Sequence, residues 1–383
     1  MCGMKKLLIV SNYKGSFPYV DELIEYLKPL DVSIDILDLV ESVLILNNGE
    51  KRLLINLTEE RILTFSSKIP FLNDYIRARI LKRNISFLAT HKYDAVNVHY
   101  CDNIYVYFIE SFKKISANVS VAVWGSDFYR VSNRRRELQR KVYNESKSII
   151  IANPKTSEDF YNYYQDYKEK IKTLNFGIKK LEYLKEAKQS FGLNSLKEQF
   201  NLPLNKVIVT CGYNGRPPQQ HKLILEAIKL LPRPILDTIH LLFPMGYGLI
   251  PSYRSEIEGI LSTIPVSYTI SDSFLNDSDI IKLRLATDIV INAQVSDVFS
   301  SSLMEHLMAN NILLAGAWLP YQSLADLGIF YLDFEPNTLS HILLDVLENY
   351  EKYKLATVGN ADKIYANSSW PNKILQWKEL IFN

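Results

Sequence analysis

Apolar residues in this chain come in short bursts separated by polar loops and amphipathic stretches, and the alternation runs from one end to the other. KKLLIV (5–10) is a continuous apolar run, followed by the loop SNYKGSFPYV and a helix-like segment over 20–28. Runs of that length read as strands covered on both faces, the habit of parallel sheets. VSIDILDL (32–39) alternates as a second strand, and further short strands are expected through residue 57 around the turn Asn47-Asn48-Gly49. YDAVNVHY (93–100), VSVAVWGSD (119–127) and SIIIANP (148–154) add three more, while 71–92 and the tyrosine-rich stretch after 154 pattern as helix. A charged segment without strand pattern follows Asn175-Phe176-Gly177, so a domain boundary is expected near Gly177.

The rhythm restarts at KVIVTCGYNGRPPQQHKLILEAIKLL (206–231), a strand, a loop of Gly, Asn and Pro, and a helix. HLLFPMGYG (240–248) and VSYTIS (266–271) are strands and SDIIKLRLAT (278–287) a helix. The segment 287–318 then holds a strand (288–293), a polar loop with Asp297, a serine run, a helix from about Leu303 and a strand (312–317). Two such α/β halves predict two Rossmann-like domains, 1–177 and 178–359, facing each other across a cleft. After an amphipathic helix at 340–353, a last helix near 373–382 follows Pro371; Trp370 and Trp377 make 360–383 a segment expected to pack back onto the first domain.

Composition narrows the class. The chain's 383 residues exceed one ordinary core, and 47% hydrophobic with 22% charged residues is globular composition. A formal net charge of +2 argues against a nucleic-acid partner, so an anionic ligand has to be met locally. Three scattered cysteines, Cys2, Cys101 and Cys211, point to a reducing, cytoplasmic setting. No apolar run approaches the roughly 18 to 20 residues that span a bilayer, and 1–10 lacks a signal peptide's apolar centre. Within 71–92, Arg77, Arg79, Lys82 and Arg83 stand beside Phe71, Tyr75, Ile76, Ile80 and Phe87. Such a helix either lays its apolar stripe on the core or lies on the inner face of the cell membrane.

Strand, loop and helix N-terminus in succession form an anion site, because first-turn amides lack partners and carry the positive end of the helix dipole. Ser300 and Ser301 open that helix. Ligands of open parallel sheets gather at the carboxyl ends of strands, where His99 and Asp127 also fall. His99 is a site residue or a core histidine, Asp127 a site residue or a turn cap, and Gly15 allows close backbone approach or a plain turn. Asp277-Ser278-Asp279 has the form of a metal-binding pair, but its place before a helix favours capping.

The pattern DIVINAxxSDVFSSSLMEHLMANN (288–311) resembles the strand, acidic loop and Glu-bearing helix of nucleotide-sugar-dependent, family 4-like transferases of GT-B fold that build bacterial surface polysaccharides. Asp297 and Glu305 are eight apart, the spacing of that family's paired glutamates, with Asp in place of the first. The resemblance covers about 206–328; in the first half it rests on VHY and WGSD. It implies a hexosyltransferase-like enzyme passing a sugar from a nucleoside diphosphate to a glycan or lipid-linked glycan of a capsule, exopolysaccharide or O-antigen. It also implies no bound metal and no cofactor, the nucleotide sugar being the substrate. Glu305 is then expected on the ribose diol, the Ser300 and Ser301 amides with Arg216 and Lys222 on the diphosphate, and Asp297 on the donor sugar. If configuration inverts, Asp127 or His99 removes the acceptor proton; if it is retained, the leaving phosphate takes it and His99 positions the sugar. A nucleotide-sugar epimerase and a non-catalytic GT-B-like partner protein are the alternatives.

Overall fold

The computed structural model describes residues 3–11, 18–39, 41–67, 72–297 and 300–383; Gly15 lies outside the described residues. The chain divides into two compact units, Met1–Gly177 with Trp370–Asn383, and Ile178–Ser369. The returning segment therefore starts at Trp370, and Asn360–Ser368, expected to return with it, is a helix of the second unit.

Eight strands build the sheet of the first unit: β1 (Lys5–Ser11), β2 (Val32–Asp38), β3 (Val43–Ile45), β4 (Lys51–Leu53), β5 (Ala95–His99), β6 (Val119–Val123), β7 (Ser148–Ile151) and β8 (Ile171–Thr173). Their order is β4-β3-β2-β1-β5-β6-β7-β8, parallel except that β3 runs against both neighbours. The continuous run of β1 is explained by cover on both faces. Leu8 and Val10 enter one core with Val96, Val98 and Val121, and Leu7 and Ile9 enter the other with Leu23, Leu27 and Ala95.

That second core is completed by the helix Trp370–Phe382, whose Trp370, Ile374, Trp377 and Ile381 fall every three to four residues and are all buried. Its polar atoms are satisfied there too. Trp370 Nε1 donates to Glu22 (2.6 Å), Trp377 Nε1 to the Asn175 carbonyl (3.0 Å) and Asn118 Nδ2 to the Ile381 carbonyl (2.8 Å). A Cβ at Gly177 would collide with the Trp370 ring and backbone, so only glycine permits this close approach.

The stretch 71–92 is a helix, Leu72–Asn84, followed by a 3-10 turn, Ser86–Thr90, whose Ala78, Leu81, Ile85 and Leu88 lie in the core. Much of its charge is spent on the protein. Arg77 donates to the Leu39 carbonyl (2.8 Å) and Ser42 Oγ (3.0 Å), Arg83 pairs with Glu59, and Lys82 approaches Glu110 at 3.8 Å. Of the apolar residues named beside them, Tyr75 is exposed, Ile76, Ile80 and Phe87 are half-buried, and Phe71 lies outside the described residues.

The second unit has six parallel strands: β9 (Val207–Cys211), β10 (Ile239–Pro244), β11 (Ser267–Ser271), β12 (Ile289–Asn292), β13 (Ile312–Gly316) and β14 (Leu332–Phe334). They are ordered β11-β10-β9-β12-β13-β14. Alternate residues again feed two cores, Ile289 and Ile291 on one face and Val290, Leu313 and Ala315 on the other. The charged segment after Gly177 forms two helices, Lys180–Ser190 and Leu193–Gln199.

Candidate functional site

In the second sheet the winding direction reverses between β9 and β12, the place in an open parallel sheet where loops at the carboxyl ends of the strands form ligand sites. Side chains stitch the two loops together. Gln219 Oε1 accepts from the Tyr213 amide (2.9 Å) while its Nε2 donates to Gln294 Oε1 (2.6 Å), and Gln220 Nε2 donates to the Ala293 carbonyl (2.5 Å). Gly212 makes this possible: its φ is 65° and a Cβ there would stand 2.7 Å from Gln219 Oε1.

Asp297 sits in the loop after β12 and is buried. Its Oδ2 accepts hydroxyls from Tyr321 (2.5 Å) and Ser300 (3.0 Å), and Tyr321 in turn accepts from Asn292 Nδ2 (2.8 Å). Burial, reinforced by the Asp297 charge, pushes the Tyr321 phenol far above its ordinary range, so it stays a donor. Tyr213 is raised by burial and by the same carboxylate. Asp297, expected on the donor sugar, is a buried acceptor that holds the loop.

Ser300 caps the helix Ser301–Met308, its Oγ accepting from the Leu303 amide at 3.4 Å. The amides of Ser301 and Ser302 precede any intrahelical acceptor and point out of the N-terminal end of the helix. Arg216 is exposed, its guanidinium 6.0 Å from the centre of the Tyr247 ring. Gly248, at φ 66°, gives it room, since a Cβ there would stand 2.5 Å from Arg216 Nε. Lys222, on the helix His221–Lys229, pairs with Glu256 of the neighbouring helix Pro251–Leu261, both about half exposed.

Glu305 departs from expectation. From Ser302 to Met308 every side chain of its helix is buried, and Glu305 is 2% exposed. Its Oε2 takes Arg284 Nε at 3.2 Å, and Arg284 also donates to Ser302 Oγ at 2.9 Å. The helix packs against Lys180–Ser190, Asn360–Ser368 and Asp277–Leu285. Asn276 caps the last of these helices through the Asp279 amide (2.9 Å), and Asp277 pairs with Lys180 at 2.8 Å. The acidic pair is a helix start.

In the first unit His99 ends β5 and is fully buried, its ring centre 6.0 to 6.4 Å from those of Trp124, Phe176 and Trp377. Neither ring nitrogen has a hydrogen-bond partner among the described residues, and burial lowers its pKa to about 3, so the ring is neutral. Asp127, beyond β6, is 1% exposed. Its Oδ2 accepts from the Cys101 amide and its Oδ1 from the Trp124 amide, each at 2.8 Å. Burial pushes its pKa up to about 7 against the pull of these amides. Instead of an open base, Asp127 is a brace joining the loops that follow β5 and β6.

No protein-family model matches the sequence, and no curated protein matches it. Solved structures do. A glycosyltransferase from Rickettsia africae ESF-5 superposes with a TM-score of 0.74 at 16% identity, over 98% of this chain and 97% of the other. Anabaena HepE, in complex with UDP and glucose, gives 0.68 at 14% over 98% of each chain, and sucrose-phosphate synthase from Thermosynechococcus elongatus 0.69 at 14% over 98% of each. The chain has the GT-B fold.

Within this GT-B chain the residues singled out in sequence are only part of the site. Gln219, Gln294 and Tyr321 were missed, because a glutamine in a loop and a tyrosine 24 residues past Asp297 carry no spacing signal. Arg284 had one, a charge inside the apolar stretch IIKLRLAT, where only a buried partner could satisfy it.

Proposed function

We propose that this protein is a metal-independent glycosyltransferase that moves a hexose from a nucleoside diphosphate to a glycan or lipid-linked glycan during surface polysaccharide assembly. The observation behind the reading is the β9/β12 reversal, where the loop before the Ser300-capped helix and the Arg216 loop are bonded to each other at the carboxyl ends of two buried strands. HepE, whose structures hold UDP with glucose and UDP-glucose, shares this fold.

In this reading the amides of Ser301 and Ser302 and the Arg216 guanidinium take the diphosphate, with Ser300 fixing the turn. Lys222 joins them by leaving Glu256, an exchange made easy because exposed ion pairs contribute only about 0–1 kcal/mol. Glu305, fixed by Arg284 through one oxygen, offers the ribose diol the other, and Asp297 holds the loop that contacts the sugar. As the acceptor oxygen bonds to the anomeric carbon, the carbon–oxygen bond to the diphosphate breaks and its electron pair leaves on the phosphate. Cation and amides stabilise that growing charge. The acceptor proton goes to the leaving phosphate, since both oxygens of Asp127 are engaged by amides and His99, poorly basic in its aromatic box, at most orients the sugar.

Thermal melting with UDP, GDP, dTDP and ADP tests this directly. A nucleotide at 100 times its Kd adds about 2.7 kcal/mol, and Arg216→Ala is expected to remove that protection with the fold intact. No shift with any of the four would sink the proposal. A nucleotide-sugar panel read by mass spectrometry, with and without EDTA, then identifies the donor, and turnover is expected to be unchanged by the chelator.

A further inference from the structure

Tyr213 stands two residues past β9, and the loop around it fixes where its ring goes. Gly212, at φ 65°, turns the chain, and the Tyr213 amide is held by Gln219 Oε1 at 2.9 Å. The side chain is half-buried. Its phenol lies beside the side chains of Ser300, Gln219 and Gln294, and near enough to Asp297 for that carboxylate to raise it. A side chain of the β9 loop thus reaches the residue that caps the helix Ser301–Met308 after β12.

The groups around this phenol are already engaged with one another. Ser300 Oγ donates to Asp297 Oδ2 (3.0 Å), Gln219 Nε2 to Gln294 Oε1 (2.6 Å) and Gln294 Nε2 to the Ser296 carbonyl. Their oxygens are used as well. Gln219 Oε1 takes the Tyr213 amide, Gln294 Oε1 takes Gln219, Ser300 Oγ takes the Leu303 amide and Asp297 Oδ2 takes Tyr321. Among the described residues no acceptor takes the Tyr213 hydroxyl in a hydrogen bond. Burial and the Asp297 charge keep its proton in place at neutral pH, so the oxygen is a donor in want of a partner. The amides of Ser301 and Ser302, which precede any intrahelical acceptor, leave the same helix start.

We infer that Tyr213 is a further diphosphate-binding residue, its hydroxyl donating to an oxygen of the distal phosphate. The inference rests on the nucleotide-sugar reading of these loops. Asp297, which in that reading holds the loop that contacts the sugar, stands beside Tyr213, and this places the hydroxyl toward the phosphate that carries the sugar. When the bond between that phosphate and the anomeric carbon breaks, its electron pair stays on the phosphate. The hydrogen bond from Tyr213 strengthens as the charge grows, without transfer of its proton.

Calorimetric titration of the full chain and of Tyr213→Phe with UDP, GDP, dTDP and ADP, each beside its monophosphate, tests the assignment. Phenylalanine keeps the ring and removes only the oxygen. The diphosphate that binds the parent is expected to bind Tyr213→Phe about tenfold or more weakly, the worth of a hydrogen bond to a charged group. Its monophosphate should bind both proteins alike, and without nucleotide the two should melt together. Because the ratio of the two affinities is read within one protein, a small change in stability does not mask it. Equal diphosphate affinity in parent and variant would overturn the inference, and so would an equal loss for mono- and diphosphate, which assigns the hydroxyl to the shape of the loops alone. If none of the four diphosphates binds the parent, the nucleotide-sugar reading itself fails and takes this inference with it.

Discussion

His99 at the end of β5 and Asp127 just beyond β6 are both fully buried and are driven by that burial in opposite directions, the imidazole down to about 3 and the carboxyl up to about 7. The consequences for stability oppose each other. His99, lowered from 6.5, contributes stability that is present above that value and lost as pH falls toward 3. Asp127, raised from 3.8, contributes stability that is fully present below that value and lost as pH rises to about 7, because only the folded state keeps the proton in between. Asp127→Asn cannot titrate. The unfolding free energy of the parent minus that of the variant should therefore decline between pH 4 and 7 and be flat above; urea titrations across that range check it, and a difference independent of pH would show that Asp127 does not titrate there. His99 was legible in sequence as a strand end; Asp127, read as one, lies four residues past β6 in the short helix Ser126–Tyr129. Their chemistry was not, because it depends on Trp377, 278 residues from His99, and on the amides of a loop 26 residues before Asp127.

Among elements, the helix Ser301–Met308 shows where amphipathic reasoning stops. Glu305 was expected on the ribose diol; with helices packed around it, the carboxylate is buried and paired with Arg284. Arg284→Met strands a buried charge and should destabilise the protein by about 3–5 kcal/mol, whereas Arg284→Met with Glu305→Leu should recover most of that loss. Denaturant unfolding of the two single variants and the double variant measures the coupling. The helix Trp370–Phe382 is the complementary case, its Trp370, Ile374, Trp377 and Ile381 all entering a core of the first unit. Trp377→Ala removes a fully buried indole and its bond to the Asn175 carbonyl, and a loss of about 3–5 kcal/mol is expected from the same unfolding measurement.

At the scale of the whole molecule, the second unit is one continuous stretch, and the chain enters and leaves it side by side, the Ile178 amide donating to the Ser368 carbonyl at 2.8 Å. With its own sheet and cores, a fragment of residues 178–369 should fold cooperatively and keep the nucleotide protection proposed for the full chain. Residues 1–177 alone lack Trp370, Ile374, Trp377 and Ile381 and should remain molten until 370–383 is restored. Circular dichroism and melting of the two fragments, with a synthetic 370–383 peptide added to the second, decide both points. The sequence by itself determined the strands, their parallel α/β character and the aromatic tail's need for a core, because burial on both faces is written into local runs of apolar residues. Only the tertiary structure decided that Tyr321 occupies Asp297, that Arg284 occupies Glu305 and that the helix Leu57–Ser66 buries Glu59 and Ser66. Each of those outcomes turns on which polar atoms meet across 7 to 25 residues of chain, and a polar atom's partner is set by packing, not by the residues beside it.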